Sequence, residues 1–232
     1  MERQQPQWRG LRAKSAAWWF NSQARIRAER GTLETIKSKV NKDDTVLDLG
    51  AGTGYFTLAV APMLETGKVI ALDLSPEMLG SLIRSARKKR LTGRIEMVVG
   101  DATRTGLPDS SVDLIMSGNL LHELPNPEAA VQEMARVLRP GGRVVIHDFH
   151  DGIVGRLMKL MHHHDARGPL GVGEIGGMLE DAGFVEVAVT ASGMRYLAAG
   201  RKDGACGVAS GPACYFRTTM RPLAVSSGVV TR

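Results

Sequence analysis

Between residues 40 and 200, short apolar runs alternate with amphipathic stretches, and no other feature restricts the fold as much. The runs are Thr45–Leu49 (TVLDL), Lys68–Leu72 (KVIAL), Ile95–Val99 (IEMVV), Val112–Met116 (VDLIM) and Arg143–His147 (RVVIH). Each has the length of a strand and is rich in Val, Ile and Leu. Most lack in/out alternation, as expected of parallel strands buried on both faces. Helical stretches separate them. Ser75-Pro76-Glu77 sets a capping hydroxyl, a proline at the first helical position and an acid in the first turn, ahead of Met78, Leu79, Leu82 and Ile83. Pro127 to Leu138 repeats the device and runs into the stop signal Pro140-Gly141-Gly142. Strands alternating with helices in this way predict a parallel sheet covered on both faces. Further on, Ile153–Met161 and Glu174–Ala182 read as helices, and Phe184–Val189 and Met194–Ala199 as two closing strands.

Composition narrows the class. The chain has 232 residues, 43% hydrophobic and 23% charged, with only 2 Cys. That excludes collagenous, disulfide-stapled and intrinsically disordered chains. The net charge of +6 is unevenly placed: residues 1–40 carry +6, residues 41–202 carry −2 and residues 203–232 carry +2. The basic character belongs to the ends. Cys206 and Cys214 fit no zinc spacing. No apolar run approaches the ~18–20 residues that span a bilayer. MERQQPQWRG has no signal-peptide character, so a cytoplasmic protein is the default expectation. Three regions are expected: a basic amphipathic helical extension over 1–40 containing Trp8, Trp18 and Trp19, a domain over 41–202, and a poorly ordered tail over 203–232.

The chemistry concentrates where the first run meets Gly50-Ala51-Gly52-Thr53-Gly54. Glycines there allow a sharp turn and let a ligand lie against backbone N–H groups at a helix N-terminus. The dinucleotide fingerprint G-x-G-x-x-G would need Gly or Ala at position 55, where this chain has Tyr55. Asp48 lies on the first strand, Asp73 at the end of the second and Asp101 just after the third. Singly, Asp48 and Asp101 read equally well as turn formers. Together, three acids at successive strand ends on the ligand-binding edge favour a cofactor.

Asp48–Gly54, Ala71–Met78, Gly100-Asp101-Ala102, Leu121-His122-Glu123-Leu124 and Ala135–Gly142 follow in order at the right spacing. Over about residues 40–200 the chain closely resembles the class I S-adenosylmethionine-dependent methyltransferases, in the methyltransferase type 11 branch related to the quinone-biosynthesis enzymes. The resemblance implies an α/β, doubly wound, Rossmann-like, mostly parallel seven-stranded sheet with its last strand antiparallel, and S-adenosyl-L-methionine as cofactor. It implies that Asp48, Gly50, Gly52 and Gly54 hold the methionine end, with the acid near its ammonium. Asp73 would accept from the ribose, Leu74 flank the adenine, Asp101 accept from the adenine amino group and Ala102 pack beside it. Asn119 and Leu120 would sit beside the methyl-bearing sulfur, and His122 would line the acceptor pocket.

On the acceptor side, His147 and His150 are the candidate general bases, since a phenol, hydroxyl or acidic carbon must lose a proton. A metal site built from His147, Asp148, His150, Asp151 and His162–Asp165 matches no standard ligand spacing, so no metal is expected. Ser117-Gly118-Asn119-Leu120 lacks the Pro-Pro-aromatic tetrapeptide of amino-methylating DNA enzymes, and neither cysteine lies in the core. A small-molecule or lipid-like acceptor is the expectation, with Trp19 and Phe20 as lid residues over it. The basic arm leaves two alternatives open: a peripheral membrane contact, and an RNA methyltransferase with Arg25, Arg27 and Arg30 on phosphates. A catalytically inactive cofactor-fold binding protein is a third.

Overall fold

The computed structural model describes residues 29–152 and 166–204. Most of the basic arm (with Trp19 and Phe20), the Ile153–Met161 stretch, the His162–Asp165 run and nearly all of the tail lie outside the described residues. Helix α1 (Arg30–Lys37) precedes β1 (Thr45–Leu49), α2 (Tyr55–Val60) with its 3-10 continuation Ala61–Met63, β2 (Lys68–Asp73), α3 (Pro76–Lys88) and β3 (Ile95–Val99). The second half follows with β4 (Val112–Gly118), α4 (Pro127–Val137), β5 (Leu138–Phe149), α5 (Val172–Asp181), β6 (Phe184–Ser192) and β7 (Arg195–Lys202).

The seven strands form one sheet in the order β3-β2-β1-β4-β5-β7-β6. Neighbours pair in parallel except β7, which runs antiparallel to both β5 and β6. The chain builds outward from β1 to β3, then restarts at β4 on the other side of β1. That reversal opens a crevice at the carboxyl ends of β1 and β4, where ligands bind in open α/β sheets.

Capping follows the sequence signals. Ser75 Oγ accepts from Met78 N at 3.3 Å with Pro76 in the first turn, and Asn126 Oδ1 accepts from Ala129 N at 3.0 Å ahead of Pro127. Each helix then buries one stripe. Leu79, Leu82 and Ala86 of α3 join Phe56, Val60, Val46 and Met116 on one face of the sheet. Val131, Met134 and Ala135 of α4 join Ile115, Ile146, Ile175, Leu179 and Tyr196 on the other.

The junction of α4 and β5 departs from expectation. Helix α4 ends at Val137, and β5 begins at Leu138 rather than Arg143. Val112 pairs with Leu138, but Leu114 already pairs with Arg143, so Pro140-Gly141-Gly142 is an irregularity inside the strand rather than a turn before it. Helix α1 packs into the sheet: Ile36 is fully buried among the residues of the α3 face. Its end is tied down by Arg143, which donates to the Lys39 carbonyl at 2.7 Å and to Asp44 Oδ2 at 2.8 Å.

The loop after β3 is pinned to α4. Glu133 Oε1 accepts from Thr105 N at 2.7 Å and Thr105 Oγ1 at 2.6 Å, and its Oε2 accepts from Arg136 Nε at 2.8 Å. The Arg136 guanidinium, with those Thr105 donors, outweighs burial and holds the Glu133 carboxyl at about 2.

Candidate functional site

The glycine loop at the end of β1 is shaped from β2. Gly50 N and Ala51 N both donate to the Leu72 carbonyl at 2.9 Å. Gly52 N donates to Asp73 Oδ2 at 2.7 Å, and Asp73 Oδ1 accepts from Ser75 N at 2.8 Å. The loop amides are thus largely spent inside the protein, and what the loop offers outward is space. Gly52 has φ +54 and a Cβ there would meet nothing within 4 Å, which leaves a cradle beside the Asp73 carboxyl. Burial raises the Asp73 pKa, against the lowering effect of the Ser75 and Gly52 amides.

Gly54, at φ +84, caps α2, and a Cβ there would lie 2.2 Å from Leu82 Cδ1. Gly54→Ala adds left-handed strain to overpacking, each about 1–3 kcal/mol. Urea unfolding is expected to show a loss of about 2–6 kcal/mol, through a lower midpoint at unchanged slope. A loss under about 1 kcal/mol would mean that the loop does not need glycine there.

The other two acids are differently placed. Asp48 is buried beneath the loop, its Oδ2 accepting from Thr57 N at 3.0 Å and Thr57 Oγ1 at 2.5 Å, so it secures the first turn of α2. Asp101 is exposed and closes a turn, accepting from Thr103 N at 2.7 Å and Thr103 Oγ1 at 2.8 Å. Leu74 is half-buried and Ala102 buried.

Across the crevice, the loop after β4 carries Asn119, Leu120 and His122. Leu120 lies against the glycine loop, its Cδ1 3.0 Å from where a Gly50 Cβ would be. Asn119 adopts a left-handed conformation, φ 57, rare for a residue with a side chain. Its Nδ2 donates to Glu29 Oε1 at 2.9 Å, its Oδ1 accepts from Arg195, and the Arg195 guanidinium stands 3.9 Å from Glu29 Oε1. Arg195 also stacks 4.3 Å from the Phe149 ring centre, and His122 meets that ring edge-on at 5.1 Å.

His122 and Asp148 form a buried pair. His122 Nδ1 lies 2.5 Å from Asp148 Oδ1, and the His122 backbone N–H donates to Asp148 Oδ2 at 3.1 Å. Burial disfavours the imidazolium, but the Asp148 carboxylate and, more weakly, Glu123 outweigh it, so the His122 pKa is raised despite opposing Arg195. Burial likewise works against the Asp148 anion. The His122 contacts and the Phe149 and His122 amides reverse this, so the Asp148 pKa is lowered.

The two histidines singled out as bases are not brought together. His150 is committed to backbone at both ring nitrogens: Nδ1 takes the Gly152 N–H at 2.9 Å and Nε2 lies 2.8 Å from the Gly193 carbonyl. His147 is buried in β5. It precedes Asp148 on the strand, so the two side chains project to opposite faces of the sheet. Sequence reasoning passed over Glu29, Phe149 and Arg195, and it read Asp148 only beside the strand-end histidines and as a member of a candidate metal-ligand set. Asp148 had a usable signal, because a carboxylate close behind the apolar run Val144–Ile146 needs a partner once it is buried. Among the described residues no three His, Cys, Asp or Glu side chains gather as metal ligands, and no helix is long and apolar enough to cross a membrane.

Residues 47–146 match the family model described as a methyltransferase domain. The ubiquinone/menaquinone biosynthesis C-methyltransferases UbiE of Salmonella arizonae and Salmonella newport are each 37% identical to the chain over 123 residues, 53% of this chain and 49% of theirs. The chain therefore spans about half the length of these relatives. A solved S-adenosylmethionine-dependent methyltransferase from Aquifex aeolicus aligns at 25% identity and TM-score 0.63, covering 81% of this chain and 97% of that one. The YcgJ protein of Bacillus subtilis shares the fold at 19% identity and TM-score 0.65, over 77% of this chain and 99% of that one.

Proposed function

We propose that this chain methylates a small organic or lipid-like acceptor with S-adenosylmethionine as cofactor, a reading supported by the match of residues 47–146 to the methyltransferase-domain model and by the solved S-adenosylmethionine-dependent neighbour. The observation that carries the proposal is the coupling of Gly52, in the loop after β1, to Asp73 at the end of β2, next to the point where the strand order reverses. A side-chain-free cradle lies there beside a partly buried carboxylate. A carboxylate acceptor beside open space suits a ribose, whose hydroxyls donate and whose bulk needs room.

In this reading Asp73 accepts from the ribose hydroxyls. Leu74 and Ala102 flank the adenine, and Asp101, already locked in its turn, receives the amino group. Asp48 acts from beneath, holding α2 and the loop in place, with Gly50 and Gly54 keeping the loop close-packed. Asn119 and Leu120 face the reacting end. Trp19 and Phe20 are proposed as lid residues. When bound, the cofactor supplies a methyl group made electrophilic by its sulfonium. The protein's task is to hold acceptor and methyl in line and to exclude water, which contributes about 7–11 kcal/mol in well-oriented systems. The quinone C-methyltransferases among the relatives support hydroquinone-like acceptors.

Calorimetry on the full chain tests the reading. Micromolar binding of S-adenosylmethionine and S-adenosylhomocysteine is expected, together with transfer of a labelled methyl to at least one member of a panel of 1,4-hydroquinones and 1,4-dihydroxynaphthalenes. Absence of heat with either nucleoside would overturn it.

A further inference from the structure

Methylating a hydroquinone or phenol requires that a proton leave the acceptor, and His150 already has both ring nitrogens engaged with backbone groups. Resting on the methyltransferase reading above, we propose that His122 is the catalytic base, with Asp148 as its positioning residue, and that the acceptor arrives carrying an O–H to be removed.

The placement is set by one short loop. Leu120 packs on the glycine loop, and His122 follows two residues later, buried in the 3-10 turn Leu121–Glu123. Asp148, on the adjacent strand β5, fixes the imidazole from behind. As a carboxylate 2.5 Å from Nδ1 it requires a proton on that nitrogen, so in the neutral ring the lone pair resides on Nε2. The Asp148 anion also stabilises the imidazolium that forms once a proton is taken. Asp148 is held in turn by the Phe149 N–H at 2.7 Å and the His122 N–H at 3.1 Å, so it cannot swing away from the ring.

The charged and titratable groups facing His122 are Asp148 from β5, Glu123 from its own turn, 3.7 Å from Nε2, and Arg195 from β7 across the Phe149 ring. Tyr196 stands behind Asp148, its phenol pushed well up by burial and by Asp148 and Glu174. The two carboxylates make Nε2 more basic, and Arg195 places a positive charge near an acceptor oxyanion. His150 lacks this arrangement, because accepting a proton would cost it the Gly152 N–H.

The step balances. The acceptor O–H bond breaks, with its proton passing to Nε2. The electron pair left on the acceptor forms the new bond to the methyl carbon, at oxygen or through the conjugated ring at carbon. The carbon–sulfur bond of the sulfonium breaks with its pair remaining on sulfur, giving the neutral thioether. Where carbon is methylated, the displaced ring hydrogen leaves as a proton and the O–H is restored, so either route releases one proton. The imidazolium returns its proton to water.

The experiment uses the full chain, labelled S-adenosylmethionine and the hydroquinone and dihydroxynaphthalene panel, across pH 5 to 10. For the wild type, the single-turnover rate is expected to rise with pH through one ionisation. That midpoint should match the His122 titration seen by carbon-13-labelled histidine NMR. His122→Gln is expected to lose 10²-fold or more, keep its S-adenosylmethionine Kd within threefold, and recover partly at alkaline pH where the acceptor ionises unaided. Asp148→Asn should shift the rate midpoint and the NMR titration downward together. The wild-type comparison needs no variant to fold.

The proposal is overturned if His122→Gln keeps the wild-type rate within threefold with the same pH profile, or if the wild-type rate midpoint and the His122 titration do not coincide. It is overturned as well if the wild type binds S-adenosylmethionine yet methylates no member of the panel, an outcome that leaves cofactor use standing. Failure to bind S-adenosylmethionine at all would instead remove the methyltransferase reading on which it rests.

Discussion

Asp73→Ala is expected to weaken S-adenosylmethionine binding by about a hundredfold or more, the largest effect on affinity of any single side chain in the loop region. Two charge-assisted hydrogen bonds from a ribose would be lost, each worth about 1.5–3 kcal/mol, and 1.4 kcal/mol is already tenfold in Kd. The loss is compounded because Asp73 also takes the Gly52 N–H at 2.7 Å, so its removal frees the cradle as well as the ligand. Asp73→Asn keeps the size and one acceptor oxygen, and should fall between the two. Asp101→Ala is expected to cost far less, because Asp101 is exposed and already engaged with Thr103. Calorimetric titration of the three variants checks the order. An Asp73→Ala affinity within threefold of wild type would place the ribose elsewhere.

What the sequence made legible and what it hid divide by range along the chain. Strands β1 and β3 have the bounds expected from apolar runs alone, and the caps at Ser75 and Asn126 work through neighbours three residues away. Short-range chemistry of that kind leaves a local signature. The antiparallel course of the last strand came from family resemblance rather than from pattern, and the strand order came from the structure. The region around the loop after β4 was hardest to read, because its contacts join distant residues: Glu29 to Asn119, Arg195 to Asn119, and Asp148 to His122. No periodicity or spacing rule reports a carboxylate from one strand meeting a ring on the loop after another. Histidines at strand ends drew attention to His147 and His150, yet alternation along β5 turns His147 to the face opposite Asp148. Asp48 shows the reverse ambiguity. Its turn-forming reading and its place in a cofactor motif both describe the same residue, which bonds Thr57 at the start of α2.

Asp148→Ala is expected to cost about 3–5 kcal/mol of folding stability, because it leaves the buried His122 without its counter-charge and strands two backbone amides. The pH dependence of stability identifies the mechanism. His122 has a pKa raised above the usual 6.5 in the folded state. Its contribution is therefore fully present below 6.5 and is lost as pH rises through the folded value. Asp148 is lowered from its usual 3.8, so its contribution is present above 3.8 and is lost as pH falls through the folded value. The pair therefore stabilises the fold most between those two ordinary values, in mildly acidic solution, and progressively less toward alkaline pH. Asp148→Asn removes the charge while keeping the shape. The difference in unfolding free energy between wild type and Asp148→Asn should be greatest near pH 5–6 and shrink above neutrality. Urea denaturation at a series of pH values measures it. A difference that stays flat from pH 5 to 9 would mean that the two side chains are hydrogen-bonded without being an ion pair, and His122 would then lack the electrostatic support that makes it a strong base.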